Sequence, residues 1–334
     1  MIHTRPTSGL TRSTVRRRSH VATVVVVLIA MVIAGCAADH GAGGGGSSES
    51  ASGSSDRLAR GSSSHTLDFH GVTRSYRTYV PASVGPSEPV PMVMMLHGGF
   101  GSDEQAERDY RWDSKADSED FIVVYPNGQG GAWNAGTCCG SPAKDDVDDV
   151  GFITKVVEQV KGRSHIDPNR IFVTGMSNGA MMAERLACET DLFAAAASVA
   201  GAQVVPCDDP APISVLHIHG ATDSSVPMDG SPGDGKGHVP DHEAIQASFD
   251  RWLQVDDCGD PTTKIAGDVT SQTATCADQR AVELITVAGA GHQWPGSVKK
   301  RPGLSKLLGI DEPSDALNAT DVIWQFFAAH PKSD

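Results

Sequence analysis

The stretch Gly175-Met176-Ser177-Asn178-Gly179 decides the fold because of the residues on either side of it. β-Branched and aromatic residues at 171–174 predict a short strand, and residues 180–187 predict a helix. A serine on the sharp turn between a strand and a helix is typical of a nucleophile elbow. The turn requires glycine at both ends of the motif, because a Cβ atom there would collide with the neighbouring strand or helix. The motif therefore predicts a reactive hydroxyl on Ser177, held above the edge of a sheet.

Strand-like runs recur along the chain, and from the third one onward they alternate with helical segments. The apolar runs of the later strands are nearly continuous, as expected of a parallel sheet covered on both faces. The pattern predicts an α/β-hydrolase fold: a mostly parallel eight-stranded sheet with helices on both faces and no large lid domain. The predicted strands are residues 66–69, 75–80, 92–96, 121–125, 171–174, 194–199, 213–218 and 282–287, and the predicted helices are residues 104–115, 149–161, 180–188, 241–255 and 321–329.

Two further candidates for catalysis follow the ends of later strands. Asp223 comes a few residues after the seventh predicted strand, and His292 lies in a glycine-rich loop after the eighth. Functional residues of such sheets lie at the carboxyl ends of the strands. The chain order Ser177, Asp223, His292 is the nucleophile–acid–base order of this fold class, so we predict that the three form a catalytic triad.

The loop after the third strand supplies candidate oxyanion donors. It reads Leu96-His97-Gly98-Gly99, and the backbone N–H groups of Gly98 and Gly99 are predicted to act together with that of Asn178. Trp133 and Trp294 are predicted to flank an open cleft and to bind substrate with their flat faces. The alternative for Trp294 is a packing role that fixes the histidine loop.

Other titratable residues are weaker candidates, each with a plain structural interpretation. His217 and His219 share one face of a strand and suit packing or hydrogen bonding, and His97 suits support of the glycine loop. His238 and His242 are expected to be exposed to solvent. Asp229 and Asp234 are rival candidates for the catalytic acid, but they lie in a loop with nothing to fix them. The cluster Asp145, Asp146, Asp148 and Asp149 resembles a calcium site, but Asp148 or Asp149 is better explained as a helix cap, and so is Asn318 in its glycosylation-type tripeptide.

The N-terminal segment predicts export. Residues 1–35 combine an arginine-rich start with an apolar run at 21–33, as in a signal peptide. The run ends in Ile33-Ala34-Gly35-Cys36, which resembles a bacterial lipobox in which Cys36 is lipidated; the alternative is a secretory signal without a lipid. Residues 36–64 are rich in glycine and serine and predict a flexible tether, and residues 65–334 are long enough for one catalytic domain.

The formal net charge of −14 restricts the partners of the chain. The leader carries five arginines and no acidic residue, so the remainder is more acidic still. Nucleic-acid binding requires Lys and Arg to neutralise phosphates, and we therefore expect no nucleic-acid partner. Contact with the outer face of the cytoplasmic membrane is expected only through the N-terminal lipid.

Six cysteines follow Cys36, an even number that suggests disulfides in an exported chain. Cys258 and Cys276 bracket one polar stretch, and Cys188 and Cys207 flank one predicted strand, so these are the predicted pairs. The adjacent pair Cys138-Cys139 is either a vicinal bridge or two free thiols. The spacing of cysteines and histidines is not that of a zinc site, and no metal is expected.

Several segments together resemble the esterase/polyhydroxybutyrate depolymerase family, which includes feruloyl and acetyl xylan esterases and lipoproteins of actinobacteria. They are Leu96-His97-Gly98-Gly99, residues 133–140, residues 147–152, the 175–179 motif, His219-Gly220-Ala221-Thr222-Asp223 and residues 291–296. The resemblance implies the same triad, an ester substrate and neither metal nor organic cofactor. The substrate would be a hydroxyalkanoate polyester, a feruloylated or acetylated polysaccharide, or a small acyl ester. Two alternatives are a serine peptidase of the prolyl-oligopeptidase type and a non-catalytic binding lipoprotein of the same fold.

Overall fold

A ten-stranded sheet runs through the part of the chain that the computed structural model describes, which is residues 57–85, 87–234, 239–299 and 311–333. These residues belong to one compact unit. The predicted signal segment, Cys36 and the tether up to residue 56 lie outside them. The strands are β1 Gly61–Phe69, β2 Val72–Val80, β3 Val90–Leu96, β4 Ile122–Pro126, β5 Ile166–Met176, β6 Ala195–Val199, β7 Ser214–Gly220, β8 Thr262–Ala266, β9 Val269–Thr275 and β10 Ala281–Val287.

The strand order is β1-β2-β4-β3-β5-β6-β7-β10-β9-β8. The six strands from β4 to β10 in that order are parallel, β1 and β2 form an antiparallel hairpin at one edge, and β9 and β8 pair antiparallel at the other. This order confirms the predicted α/β-hydrolase fold. The prediction of eight strands is wrong, because β8 and β9 add an edge hairpin. Their side chains are mostly polar and partly or fully exposed, so they lack the apolar runs by which strands are recognised.

The described residues contain seven α-helices, the last of which follows the final strand: α1 Asp103–Tyr110, α2 Trp112–Glu119, α3 Gly140–Lys144, α4 Asp149–Arg163, α5 Asn178–Glu189, α6 Ile245–Val255 and α7 Ala319–Ala329. The predicted helix at 104–115 is two helices, because Arg111 between them has a left-handed φ of 62°. The capping interpretations are confirmed. At the start of α4 the side chain of Asp148 accepts the N–H of Gly151, and at the start of α7 the side chain of Asn318 accepts the N–H of Asp321.

The core has one layer on each face of the sheet. Alternate residues of a strand point to opposite faces, and in β3 Met94 joins the layer under α4, α5 and α6 while Met95 joins the layer under α1, α2 and α7. Both side chains are fully buried. This double covering explains why the central strands are apolar along their whole length.

The folded domain begins before the predicted boundary at residue 65. Leu58 is buried, and its N–H donates to the carbonyl oxygen of Arg163. The serine-rich residues after Gly61, predicted to be tether, form the first half of β1 and pair with β2. Strand pairing uses the backbone, so an edge strand forms without apolar side chains, and composition alone misplaced this boundary.

The six later cysteines form three disulfides. Cys188–Cys207 and Cys258–Cys276 are bonded as predicted, and Cys138 and Cys139 are bonded to each other, which decides between the two alternatives. Cross-links that close loops of 19 and 18 residues each stabilise a fold by about 3 kcal/mol. Among the described residues, no helix is long and apolar enough to cross a membrane.

Candidate active site

The turn between β5 and α5 has the geometry of a nucleophile elbow. Ser177 has φ 55° and ψ −122°, a conformation that costs energy for a residue other than glycine. A Cβ on Gly175 would lie 2.3 Å from the backbone of Gly179, and a Cβ on Gly179 would lie 2.4 Å from the carbonyl oxygen of His97. Both glycines are therefore sterically required, as the sequence predicted, and the turn carries the Ser177 hydroxyl out of the sheet.

The structure brings the three predicted triad residues into one chain of hydrogen bonds. His292 Nε2 lies 2.8 Å from Ser177 Oγ, and His292 Nδ1 lies 2.8 Å from Asp223 Oδ2. Asp223 and His292 are buried, whereas Ser177 is partly accessible. In this geometry the imidazole accepts the serine proton on one nitrogen while the carboxylate accepts the N–H of the other.

The turn after β7 holds Asp223 in place. Its Oδ1 accepts the N–H groups of Ser225 and Val226, which leaves Oδ2 for His292. Burial opposes ionisation, but the hydrogen bond with His292, together with the N–H of Val226, holds the pKa of Asp223 below its ordinary value. Asp223 is therefore a carboxylate at neutral pH.

The histidine loop after β10 has a support that sequence reasoning missed. The Asp311 carboxylate accepts the N–H of His292 at 2.7 Å, and the N–H of Asp311 donates back to the carbonyl oxygen of His292. A Cβ on Gly291 would collide with the same carboxylate. Asp311 lies 19 positions after His292 along the chain, and no local motif marks the pair.

The glycine loop after β3 lies beside the elbow. A Cβ on Gly98 would lie 3.6 Å from that of Ser177, and one on Gly99 would lie 3.9 Å from that of Asn178. Among the described residues, the N–H groups of Gly98 and Gly99 make no hydrogen bond, whereas that of Phe100 donates to Gly131. Two donors are thus free beside the first turn of α5, where helix N–H groups are also unpaired.

His97 supports this loop, as predicted. The N–H of Gly128 donates to its Nε2, so the ring is neutral and its Nδ1 donates to the carbonyl oxygen of Gly98. Burial lowers the pKa of His97 to about 4, in agreement with a neutral ring. The histidine is therefore a fixed brace between two loops.

The prediction that Trp133 and Trp294 flank the cleft is wrong, because both side chains are buried. The indole N–H of Trp133 donates to the carbonyl oxygen of His97, and its backbone exchanges two hydrogen bonds with the side chain of Asn178. Trp294 packs against Tyr110, and its indole N–H donates to Thr320. The packing alternative for Trp294 is confirmed. The sequence does not distinguish a tryptophan that contacts substrate from one that packs in the core, because both present the same apolar ring.

The exposed aromatic side chain of this region is Phe100, which the sequence analysis did not single out. It follows Gly99 directly, has a left-handed φ of 62° and is 81% exposed. The available signal for Phe100 was its position directly after the two glycines of the loop that follows β3. Residues 200–213 between β6 and β7 form no helix, in agreement with the predicted lack of a lid there.

The weaker candidates have separate structural roles. Asp149 forms a buried ion pair with Arg74. The prediction that His242 is exposed to solvent is wrong, because its ring is half-buried between the carbonyl oxygens of Pro227 and Pro240. The exposed Asp229 accepts a hydrogen bond from the hydroxyl of Ser231 and is not part of the hydrogen-bonded triad. The other candidates in this group are Asp234, which is exposed, and His238, which lies outside the described residues.

Comparisons with known proteins agree with this fold. A model of the prolyl oligopeptidase family matches residues 109–207, which contain Ser177 but neither of its hydrogen-bonded partners. NocK of Nocardia uniformis subsp. tsuyamanensis, named as an esterase, is 34% identical over 68% of this chain and 72% of its own length. Feruloyl esterase B of Piromyces equi is 27% identical over 64% of this chain, which spans only 41% of that protein. The acetyl xylan esterase of Aspergillus awamori superposes with a TM-score of 0.54 at 18% identity, covering 80% of this chain and 99% of that one.

The fold and these relatives define a serine-type carboxylic ester hydrolase of the α/β-hydrolase class. The chain belongs to the same esterase family as NocK.

Proposed function

We propose that Ser177, His292 and Asp223 hydrolyse a carboxylic ester through an acyl-enzyme. The observation that carries this proposal is the pair of 2.8 Å contacts that link the three side chains. His292 takes the proton of Ser177 as its oxygen attacks the ester carbonyl, and Asp223 stabilises the imidazolium. His292 then protonates the leaving alcohol, and a water molecule attacks the acyl-enzyme by the same route and releases the acid.

Backbone N–H groups are proposed to hold the negative charge that forms on the carbonyl oxygen. The first turn of α5 offers the N–H of Asn178, and the adjoining loop offers those of Gly98 and Gly99. One such donor contributes roughly 10²–10³-fold in kcat. The hydrogen bonds between the Asn178 side chain and the Trp133 backbone support a loop geometry that is preformed rather than assembled by substrate.

We propose an aromatic acyl ester of the feruloyl type as the substrate class. The exposed ring of Phe100 beside the oxyanion loop suits a flat acyl group, since aromatic rings prefer to pack against one another. The relative from Piromyces equi is itself named as a feruloyl esterase, which supports the same class. A panel of methyl ferulate, p-nitrophenyl acetate, acetylated xylan, polyhydroxybutyrate and a peptide anilide tests this proposal. Methyl ferulate is expected to have the highest kcat/KM, and turnover of the anilide alone would favour the peptidase alternative.

Replacing Phe100 with alanine should raise KM for methyl ferulate roughly two- to tenfold and leave kcat nearly unchanged, because one aromatic contact is lost. Hydrolysis of p-nitrophenyl acetate should stay at the wild-type level. Ile265→Ala is the matched control, because Ile265 is also a large exposed apolar side chain, at 72%, but lies on the edge strand β8. Equal losses on both esters would contradict a role for Phe100 in acyl recognition.

We also propose that the protein is exported and held on the cell surface by a lipid on Cys36. The arginine-rich start and the Ile33-Ala34-Gly35-Cys36 sequence support this proposal. Cys36→Ala should move the protein out of the membrane fraction or block its processing, and should abolish labelling by a fatty acid. Ser177→Ala is the control and should partition like the wild type. A Cys36→Ala protein that keeps both its label and its membrane association would overturn lipidation at this residue.

A further inference from the structure

A line of buried polar side chains continues from the triad into the core. Glu184 of α5 and His217 and His219 of β7 are each less than 7% exposed. Glu184 Oε1 lies 3.4 Å from His217 Nδ1, and His217 Nε2 lies 2.9 Å from His219 Nδ1. His219 Nε2 in turn lies 2.8 Å from the carbonyl oxygen of Val226 and 3.6 Å from Asp223 Oδ2. We call Glu184, His217 and His219 the buried string.

The carbonyl oxygen of Val226 sets the direction of the two hydrogen bonds that His217 and His219 make along this line. A carbonyl only accepts, so His219 Nε2 carries a proton and donates. Burial lowers the pKa of both histidines, so both rings are neutral and carry one proton each. His219 Nδ1 therefore accepts from His217 Nε2, and His217 Nδ1 presents a lone pair to Glu184. An ionised carboxylate would meet that lone pair without a proton between them.

The surroundings of Glu184 favour its neutral form. Burial raises the pKa of Glu184 to about 7, and the nearby Ser198 hydroxyl and the Arg251 cation only partly offset this effect. Glu243 adds a like charge that disfavours ionisation. Both carboxyl oxygens of Glu184 are buried without a hydrogen-bond partner among the described residues. A proton on Oε1, which lies 3.4 Å from His217 Nδ1, would supply the donor that this nitrogen lacks.

The string ends on the turn that holds the triad acid. Val226, whose carbonyl oxygen accepts from His219, also donates its N–H to Asp223 Oδ1. The His219 N–H approaches Asp223 Oδ2, the oxygen bonded to His292. His219 thus contacts both the turn and the carboxylate, and a change in its ring orientation would shift Asp223.

We propose that the buried string positions Asp223, and that Glu184 takes part in it as a neutral acid that donates to His217. This inference rests on the proposed triad. Glu184, His217 and His219 are positioning residues, because none of them touches the reacting atoms.

The proposal predicts a loss of activity as pH rises through about 7, where Glu184 loses its proton. The charged or titratable groups that face Glu184 are His217, Arg251 and Glu243, and those that face His219 are His217, Asp223, His242 and His292. Once Glu184 is ionised, His217 must turn its proton toward the carboxylate. The contact between His217 Nε2 and His219 Nδ1 then loses its hydrogen, and the support of Asp223 weakens.

Three variants test this role through the pH profile of kcat. In Glu184→Gln the amide N–H replaces the acid proton but does not titrate, so kcat should stay within about twofold of wild type and the alkaline loss should disappear. Glu184→Leu should lower kcat roughly tenfold at every pH with little change in KM, because the donor is lost. Glu283→Gln is the control: burial also raises the pKa of Glu283, but it lies on β10 and shares the opposite face of the sheet with Ile285. An alkaline loss in Glu184→Gln equal to that in wild type would overturn the proposal.

Histidine tautomers provide a readout that does not depend on catalysis. Nitrogen NMR of ¹⁵N-histidine-labelled protein at pH 6 should show His217 and His219 neutral and protonated on Nε2, in wild type and in Ser177→Ala alike. A proton on Nδ1 of either ring would overturn the proposal, even if every variant folds and turns over ester. Activity retained by Ser177→Ala, with the expected tautomers intact, would instead refute the triad and leave the string in place.

Discussion

Ser177→Ala is expected to lower kcat for ester hydrolysis by roughly 10⁴-fold or more. The variant removes the oxygen that lies 2.8 Å from His292 Nε2, so no acyl-enzyme can form. Substrate binding should change little, because the unpaired N–H groups of the glycine loop after β3 and the exposed ring of Phe100 stay in place. Single-turnover measurements with p-nitrophenyl acetate should show no burst of p-nitrophenol.

The partners of Ser177 should show related effects. His292→Ala should be as severe, and Asp223→Asn should lower kcat about 10⁴-fold, because an asparagine amide favours the wrong tautomer of the histidine. Ser224→Ala, at an exposed serine next to Asp223, is the matched control and should keep wild-type kcat. A Ser177→Ala protein that retains more than a tenth of the wild-type activity would refute the assignment of the nucleophile.

Asp149→Asn is expected to lower the free energy of unfolding by about 3–5 kcal/mol, because it leaves a buried arginine without a counter-charge. Arg74 Nη2 lies 2.7 Å from Asp149 Oδ1, and both side chains are less than 5% exposed. The guanidinium also stacks over the ring of Phe152, with its central carbon 3.8 Å from the ring centroid. The other oxygen of Asp149 accepts the N–H of Asn134. Asn134 directly follows Trp133, whose backbone N–H donates to the side chain of Asn178.

Urea unfolding followed by circular dichroism measures this effect, and Tm should fall by about 10 °C. Glu158→Gln on the same helix is the control. Its ion pair with Lys155 is more than half exposed on both sides, so the expected change is within about 0.5 kcal/mol. A loss below 1 kcal/mol for Asp149→Asn would show that the Arg74–Asp149 pair is replaceable by neutral hydrogen bonding.

The elbow and the order of the triad were predictable because they depend on short-range constraints. Two glycines and a serine between a strand and a helix allow few turn geometries, and the strand ends place Asp223 and His292 at one edge of the sheet. The disulfides were predictable for a similar reason, since each predicted pair closes a loop of fewer than 20 residues. Local sequence thus determined the fold class, the candidate triad and two of the three cross-links.

Features that depend on distant parts of the chain were decided by the tertiary structure alone. Burial of Trp133 and Trp294 follows from the loops and helices packed over them, whereas an indole has the same apolar face in core and cleft. The support of His292 by Asp311 and the line from Glu184 to Asp223 join side chains from separate elements. Sequence determined where the central strands lie, because runs of apolar residues are local, but not their exact bounds: β5 begins at Ile166, five residues before the predicted start at residue 171. Only the packed fold decided which polar side chains meet, because their partners come from distant elements and carry no shared local pattern.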